Sequence, residues 1–327
     1  PEGLENFMML GELSLDGSLV AVKGVLPIAI NARSEGFKSI IVPLENANEA
    51  AVVEGIHVYG FSHIREVTDF LNGKQQAEPF TFDPTLSEVT NDLLYDFKDV
   101  KGQETVKRAL EIAAAGAHNL LMVGAPGSGK TMLARRLPGI LPPMTVEESL
   151  ETTKIHSVAG KLSRNCSLIT TRPFRSPHHT ISPIALIGGG SFPRPGEISL
   201  ATNGVLFLDE LTEFQRNVLE VMRQPLEDRK ITISRARYSV DYPANFMLIA
   251  SMNPCPCGYY NHPTKECTCS GSAIQHYLSK ISGPLLDRID MHIEVVPVEL
   301  EKIAGIQEAD PSSVVRARLI TARNIQT

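Results

Sequence analysis

The feature that most constrains this chain is Gly124-Ala125-Pro126-Gly127-Ser128-Gly129-Lys130-Thr131, set between the apolar run NLLMVG and the helically spaced segment TMLARRLPGI. It fits G-x-x-x-x-G-K-[ST]. A strand, a glycine-rich loop and a helix in that order let backbone N–H groups curl around phosphate oxygens, with the helix start adding a favourable dipole. Lys130 is then expected at the β and γ phosphates and Thr131 on Mg2+, and the nucleotide-binding run extends to Met132. An α/β layer holding ATP or ADP is the expectation.

Two later segments extend that reading. Gly204-Val-Leu-Phe-Leu-Asp209-Glu210 is an apolar strand ending in two acids, which places both carboxylates at a strand's C-terminal edge beside the phosphates. Asp209 is expected to join Thr131 in holding Mg2+, and Glu210 to polarise the attacking water. Phe246-Met-Leu-Ile-Ala-Ser-Met-Asn253-Pro254 reads as a neighbouring buried strand whose terminal amide, Asn253, could orient that water. In Leu285-Leu286-Asp287-Arg288-Ile289-Asp290, Arg288 sits on a turn after a helix. It could reach across a subunit boundary as an arginine finger, or pair within the chain with Asp287 or Asp290.

At 327 residues with 43% hydrophobic and 21% charged, the chain has material for about two globular domains and a sizeable core. No run reaches the roughly 18 apolar residues of a membrane span, and the first residues lack a secretory pattern. The missing initiator Met and a C-terminus that still reads as helix suggest a piece of a longer protein. A net charge of −6 argues against coating nucleic acid by bulk charge, leaving room only for a local basic surface. Four of the five cysteines crowd into Cys255-x-Cys257 and Cys267-x-Cys269, which suggests metal in a reducing cytoplasm.

Residues 1–72 alternate short apolar runs with helical patterns, VLPIAINARSEG reading as a helix closed by Gly36. Residues 73–95 are polar, contain two prolines and lack a period, and read as a linker. Residues 96–298 carry the nucleotide motifs, and 299–327 the start of a helical lid.

DVKGQE, GAPGSGKT, GVLFLDE, ASMNP and LLDRID together resemble a AAA+ ATPase of the magnesium-chelatase and MCM branch. TTRPFRSPHHTIS, IGGGSFPRPGEISLATNGVLFLDEL, NPCPCGYYNHPTKECTCS and ISGPLLDRIDMHIEV resemble more closely the magnesium-chelatase-like competence proteins, the ComM or YifB family. That resemblance implies a P-loop AAA+ core, a homo-oligomeric, hexameric ring, and DNA branch migration on branched or single-stranded DNA. Arg288 matches the family's arginine-finger position. Residues 11–49 resemble the C-terminal half of a Lon-protease-like α/β domain, but Leu26 stands where that family carries its catalytic lysine. Lys23 lies one helical turn away, and the segment for the nucleophilic serine would precede Pro1. The domain is therefore expected to be non-proteolytic. The arginine of a later lid helix is expected beyond Thr327.

From Thr152 through Gly196 there is no Asp or Glu, while Arg172, Arg175 and Arg194 are among its basic residues. Phosphate contacts need only positive charge and donors, so a sequence-indifferent motor could use such a stretch. A second candidate is ITISRARYSV, whose alternation suggests a hairpin with Arg235 and Arg237 on one face. A solvated surface or a subunit interface is the alternative. The four cysteines could hold a structural Zn2+, or remain free or form a disulfide; His262 is a substitute ligand in the same loop. A protein-remodelling ATPase like the chelatase subunit is the rival function, and an ATP-dependent protease a third.

Overall fold

The computed structural model describes residues 4–83, 95–163, 166–190, 192–235, 238–298 and 309–326. The chain divides into two compact units, residues 1–89 with 144–171, and residues 90–143 with 172–327.

In the first unit, β1 (Phe7–Met9), β2 (Ser39–Pro43) and β3 (His57–Phe61) form a parallel sheet with β2 in the centre. The helix Val25–Ser34 buries Val25, Leu26, Ala29 and Ala32, spaced as one face of a helix, in a core shared with Ile40, Val42 and Val58. Leu26, at the position of the expected lysine, is fully buried, and Lys23 is exposed. Part of the expected linker joins this unit, the Phe80 N–H donating to the Val58 carbonyl at 2.8 Å. Residues 84–94 lie outside the described residues.

The helix Val146–Ala159 falls within the span read as ATPase core, yet clusters with the first unit. Its buried face consists largely of Ser149, Thr152, Thr153, His156 and Ser157, with Ile155 the apolar exception. Ser157 donates to the buried carboxylate of Glu49, which also accepts the Leu26 N–H at 2.8 Å. A face built from hydroxyls leaves no apolar stripe, so sequence periodicity does not disclose its partner.

In the second unit a five-stranded sheet runs in the order β12 (Met291–Val295), β4 (Leu120–Gly124), β11 (Met247–Met252), β8 (Val205–Leu208), β5 (Phe174–Arg175), every pairing parallel. Two small antiparallel hairpins accompany it, β6 (Gly188–Gly189) with β7 (Arg194–Pro195), and β9 (Lys230–Arg235) with β10 (Tyr238–Pro243). Parallel sheets are covered on both faces, and the central strands accordingly read as nearly unbroken apolar runs. Leu120, Met122, Val205, Phe207, Met247 and Ile249 enter one core, against the helices Glu104–Gly116 and Ser312–Gln326. Leu121, Leu206, Leu208, Leu248, Ala250 and Met252 enter the other, with Phe214, Tyr277 and Leu285. This alternation across the pleat is the P-loop AAA+ core that the motifs imply. β11 is inserted between the strand that feeds the glycine-rich loop and the strand that ends in the acids. Among the described residues no helix is long and apolar enough to cross a membrane.

Candidate nucleotide and metal sites

The register sets the chemistry. Val205 pairs with Met247 and Ile249 with Leu120, so the C-terminal ends of β8, β11 and β4 come out side by side. Such strand ends are where ligands bind in open α/β sheets.

At the end of β4, a Cβ on Gly124 would lie 2.4 Å from the Val295 carbonyl oxygen and 2.9 Å from Ser128 Oγ, so only glycine fits. Gly127 and Gly129 hold φ of 76° and 92°, turning the loop back onto the helix Lys130–Ala134. Ala125 is buried, Pro126 and Gly127 are exposed, and Met132 is partly exposed on the outer side of that helix. Lys130 is buried; its Nζ donates to the Gly124 carbonyl at 2.7 Å, the Ala125 carbonyl at 3.0 Å and Asn253 Oδ1 at 3.3 Å. Burial pulls its pKa below the ordinary lysine value, although Asp209 and Glu210 act against that shift.

Thr131 Oγ1 donates to Asp209 Oδ2 at 2.6 Å, and the Ser251 hydroxyl donates to the other oxygen of the same carboxylate. Glu210 adopts a left-handed conformation with φ of 54°, which costs on the order of 1–3 kcal/mol in a non-glycine residue. Its side chain is 59% exposed, and His179 Nδ1 lies 3.7 Å from Oε2. Asn253 stands between Lys130 and the acidic strand end. These residues fit a magnesium nucleotide: the Ser128 hydroxyl is buried with no protein partner inside the glycine cradle, and the Thr131 and Asp209 oxygens form a hard donor pair suited to Mg2+.

Sequence reasoning missed three supporting residues. Gln103, at φ of 61°, donates through Nε2 to the Ser128 carbonyl at 3.1 Å and the Val296 carbonyl at 2.9 Å, tying the loop to the end of β12. Ser251 orients Asp209, and His179 faces Glu210. Gln103 lies in DVKGQE, but an amide bridging two distant carbonyls has no signature in spacing.

Arg288 pairs with neither Asp287 nor Asp290. Its guanidinium meets the Glu227 carboxylate and the Pro284 carbonyl, with Nε buried and unpartnered. Asp290 instead accepts the Asn119 N–H at 2.7 Å.

The basic residues divide sharply. Arg172 donates to the carbonyls of Pro142 at 2.6 Å, Asn203 at 2.7 Å and Pro143 at 3.2 Å. Arg175 holds Glu197 in a two-pronged pair at 2.7 and 2.8 Å. These two of the five arginines expected to meet phosphate are therefore engaged within the chain. Arg194 and Arg235 are exposed, on hairpins clasped to each other: Arg235 Nε donates to the Gly190 carbonyl at 3.3 Å and the Tyr242 hydroxyl to the Pro193 carbonyl at 2.9 Å. Arg237 lies outside the described residues.

The four cysteines converge. All four Sγ atoms lie within 4.8 Å of one another, with Cys255 3.3 Å from Cys257 and 3.8 Å from Cys267, and Cys257 3.6 Å from Cys267. These spacings are far too long for a disulfide, and the thiols are free. N–H groups of Tyr259 and Thr268 draw the Cys257 pKa down to about 6. At Cys267 the Cys269 N–H pulls down, but burial and the neighbouring thiols outweigh it and push the value up to about 12. His262 Nδ1 instead accepts the N–H groups of Thr264 and Lys265, at 3.2 and 3.1 Å.

Residues 96–303 match the family model described as magnesium chelatase, subunit ChlI, and residues 1–46 match that described as subunit ChlI of Mg-chelatase. The chain is 43% identical over 332 residues to competence protein ComM of Haemophilus influenzae, covering 99% of this chain and 63% of that protein. It is 44% identical over 326 residues to the YifB protein of Escherichia coli, again covering 99% and 63%. The magnesium-chelatase 38 kDa subunit of Rhodobacter capsulatus is 24% identical over 190 residues, 52% of this chain and 53% of that subunit. The chain thus spans less than two thirds of the ComM and YifB proteins it resembles.

Proposed function

Because the chain belongs to the magnesium-chelatase ChlI family, with ComM and YifB as relatives, we propose that it is the ATP-hydrolysing part of a homo-hexameric, cytoplasmic ring motor that moves branched or single-stranded DNA. The observation that carries the hydrolytic half is the Thr131–Asp209 bond with Asn253 and Glu210 at adjoining strand ends. Loop N–H groups and Lys130 bind the phosphates, Lys130 exchanging its carbonyl partners for phosphate oxygens. Thr131 and Asp209 hold Mg2+, which when bound neutralises charge on the β and γ phosphates. Glu210 takes up the proton of the attacking water, and Asn253 fixes that water's orientation. Arg288 completes the neighbouring subunit's site, which requires the ring contact to release it from Glu227.

Two observations support the DNA half: the name of the Haemophilus relative, a competence protein, and the exposed Arg194 and Arg235 on clasped hairpins. Arg172 and Arg175 carry less of this role, since Arg172 braces three carbonyls and Arg175 holds Glu197. The chelatase-like reading, an ATPase that remodels a protein partner, draws its support from the same occupied arginines and from the Rhodobacter relative. The Lon-like N-terminal domain serves as a non-proteolytic module, consistent with an apolar Leu26 in its core. The four thiols take one structural Zn2+.

The deciding experiment is the ATPase rate of the full-length protein with and without branched DNA across a salt series, beside Arg194→Ala/Arg235→Ala. Salt-sensitive stimulation that the double substitution removes is the expected result. Active turnover indifferent to DNA would favour the protein-remodelling reading.

A further inference from the structure

The cysteine loop begins two residues after Asn253, and its first sulfur carrier, Cys255, is fully buried. Four sulfurs at about 2.3 Å from one tetrahedral zinc stand about 3.8 Å apart, the spacing already present between Cys255 and Cys267 and nearly so between Cys257 and Cys267. The ligand set is therefore nearly in place around a common centre.

This loop is also a wall of the hydrolytic site. Pro256, held between the first two thiols, lines with Glu210, Thr212, Asn253, His276 and Tyr277 a hollow of about 370 Å3. Gly258, with φ of 84°, packs so closely that a Cβ there would lie 2.5 Å from Cδ of Pro126 in the glycine-rich loop. At its other end the loop passes from Cys269 into Ser270, whose Oγ accepts the Ala273 N–H at 3.3 Å and caps the helix Gly271–Leu278. That helix carries Tyr277, whose hydroxyl accepts from Thr212 at 2.6 Å and is also reached by the Asn253 backbone amide. The loop thus meets the hollow beside Glu210 through Pro256, the glycine-rich loop through Gly258 and the helix bearing Tyr277 through Ser270, and the thiol cluster ties its two ends together.

Resting on the zinc reading above, we infer that the tetrathiolate zinc acts as a positioning device for hydrolysis: it fixes the loop that places Asn253 and walls the water side of Glu210. Phosphate binding is placed chiefly by β4 and the helix Lys130–Ala134, with the cysteine loop meeting the glycine-rich loop at Pro126 on its outer, exposed side. Loss of zinc therefore separates turnover from nucleotide affinity, which a general stabilising role would not do.

The test uses the full-length protein. Metal analysis should find one zinc per chain, and cobalt exchanged into the site should show the thiolate-to-cobalt charge-transfer absorption of a tetrathiolate. Cys255→Ser/Cys267→Ser should lose the zinc, keep the affinity for a fluorescent ATP analogue within about threefold and lose turnover by about tenfold or more. Chelation of the folded wild-type protein, followed by re-addition of zinc, gives the same readout without relying on the variant folding, and turnover should return. Metal-replete protein that holds no zinc would overturn the zinc reading itself. A zinc-bound protein whose turnover survives zinc withdrawal would leave that reading intact and overturn the positioning role. So would withdrawal that abolishes nucleotide binding together with the thermal unfolding transition.

Discussion

The nucleotide site and the arginines downstream of it use charge in opposite ways. At the nucleotide site, Asp209, Glu210 and Asn253 follow the ends of the adjacent strands β8 and β11, and Lys130 opens the helix that the loop after β4 feeds, so their placement follows from strand register. Arg172, Arg175 and Arg288 are placed by what their long side chains happen to reach: three carbonyls, Glu197 and Glu227 respectively. A guanidinium offers five donors and serves equally well as an internal brace or as a ligand for phosphate, so a run of arginines without acids says little about which. A motif whose residues share one loop and one sheet edge carries geometry; a composition does not.

The sharpest test of the first region is Glu210→Gln. Turnover should fall by about 10³-fold or more while ATP affinity holds, because the carboxylate acts on water and not on the phosphates. Rapid-quench hydrolysis beside equilibrium nucleotide binding reads both, and turnover near the wild-type rate would remove Glu210 from its role.

Arg288→Ala probes the boundary between the two regions. If the ring frees Arg288 from Glu227, turnover of the assembled protein should drop by about 10³-fold with binding unchanged, and mixing with Lys130→Ala subunits should restore partial activity. A variant that only melts earlier, with normal turnover per assembled ring, would place Arg288 beside Arg172 as a brace.

Among the remaining arginines the comparison becomes a double dissociation. Arg172→Ala strands the Pro142, Pro143 and Asn203 carbonyls and should cost about 1–3 kcal/mol of stability in denaturant titrations, with DNA affinity unmoved. Arg194→Ala/Arg235→Ala should leave the melting transition alone and flatten the salt dependence of DNA binding by about one unit of slope per lost phosphate contact. Exchanged phenotypes would show that exposure is no guide to which arginines meet the ligand.

The same contrast explains how much was legible in the sequence. Leu206, Phe207, Leu248 and Ile249 are buried on opposite faces of one parallel sheet, so the apolar runs announce their strands, and the acids and amide that follow announce the site. The cysteine pairs announce a cluster because short loops keep close residues close. The helix Val146–Ala159 is different. It meets its unit through Ser157 and Glu49, 108 residues apart, on a face with almost no apolar residues to count. Ser251 escapes for a related reason, since it acts through a side-chain hydrogen bond to Asp209, a group distant in the chain.

Gln103 is the mildest case and tests whether such long-range bracing matters for ligand binding at all. Its side chain bonds the Ser128 and Val296 carbonyls and touches no group that phosphate would displace. Gln103→Ala should free the glycine-rich loop from the end of β12, at about 1 kcal/mol for the lost bonds, and weaken ATP about fivefold. Because Glu210 and Asn253 stay on their own strand ends, the rate at saturating ATP should not change. A fall in that rate with no change in affinity would mean that the loop's position is felt at the water and not at the phosphates, and would join the two halves of the site that strand register keeps apart.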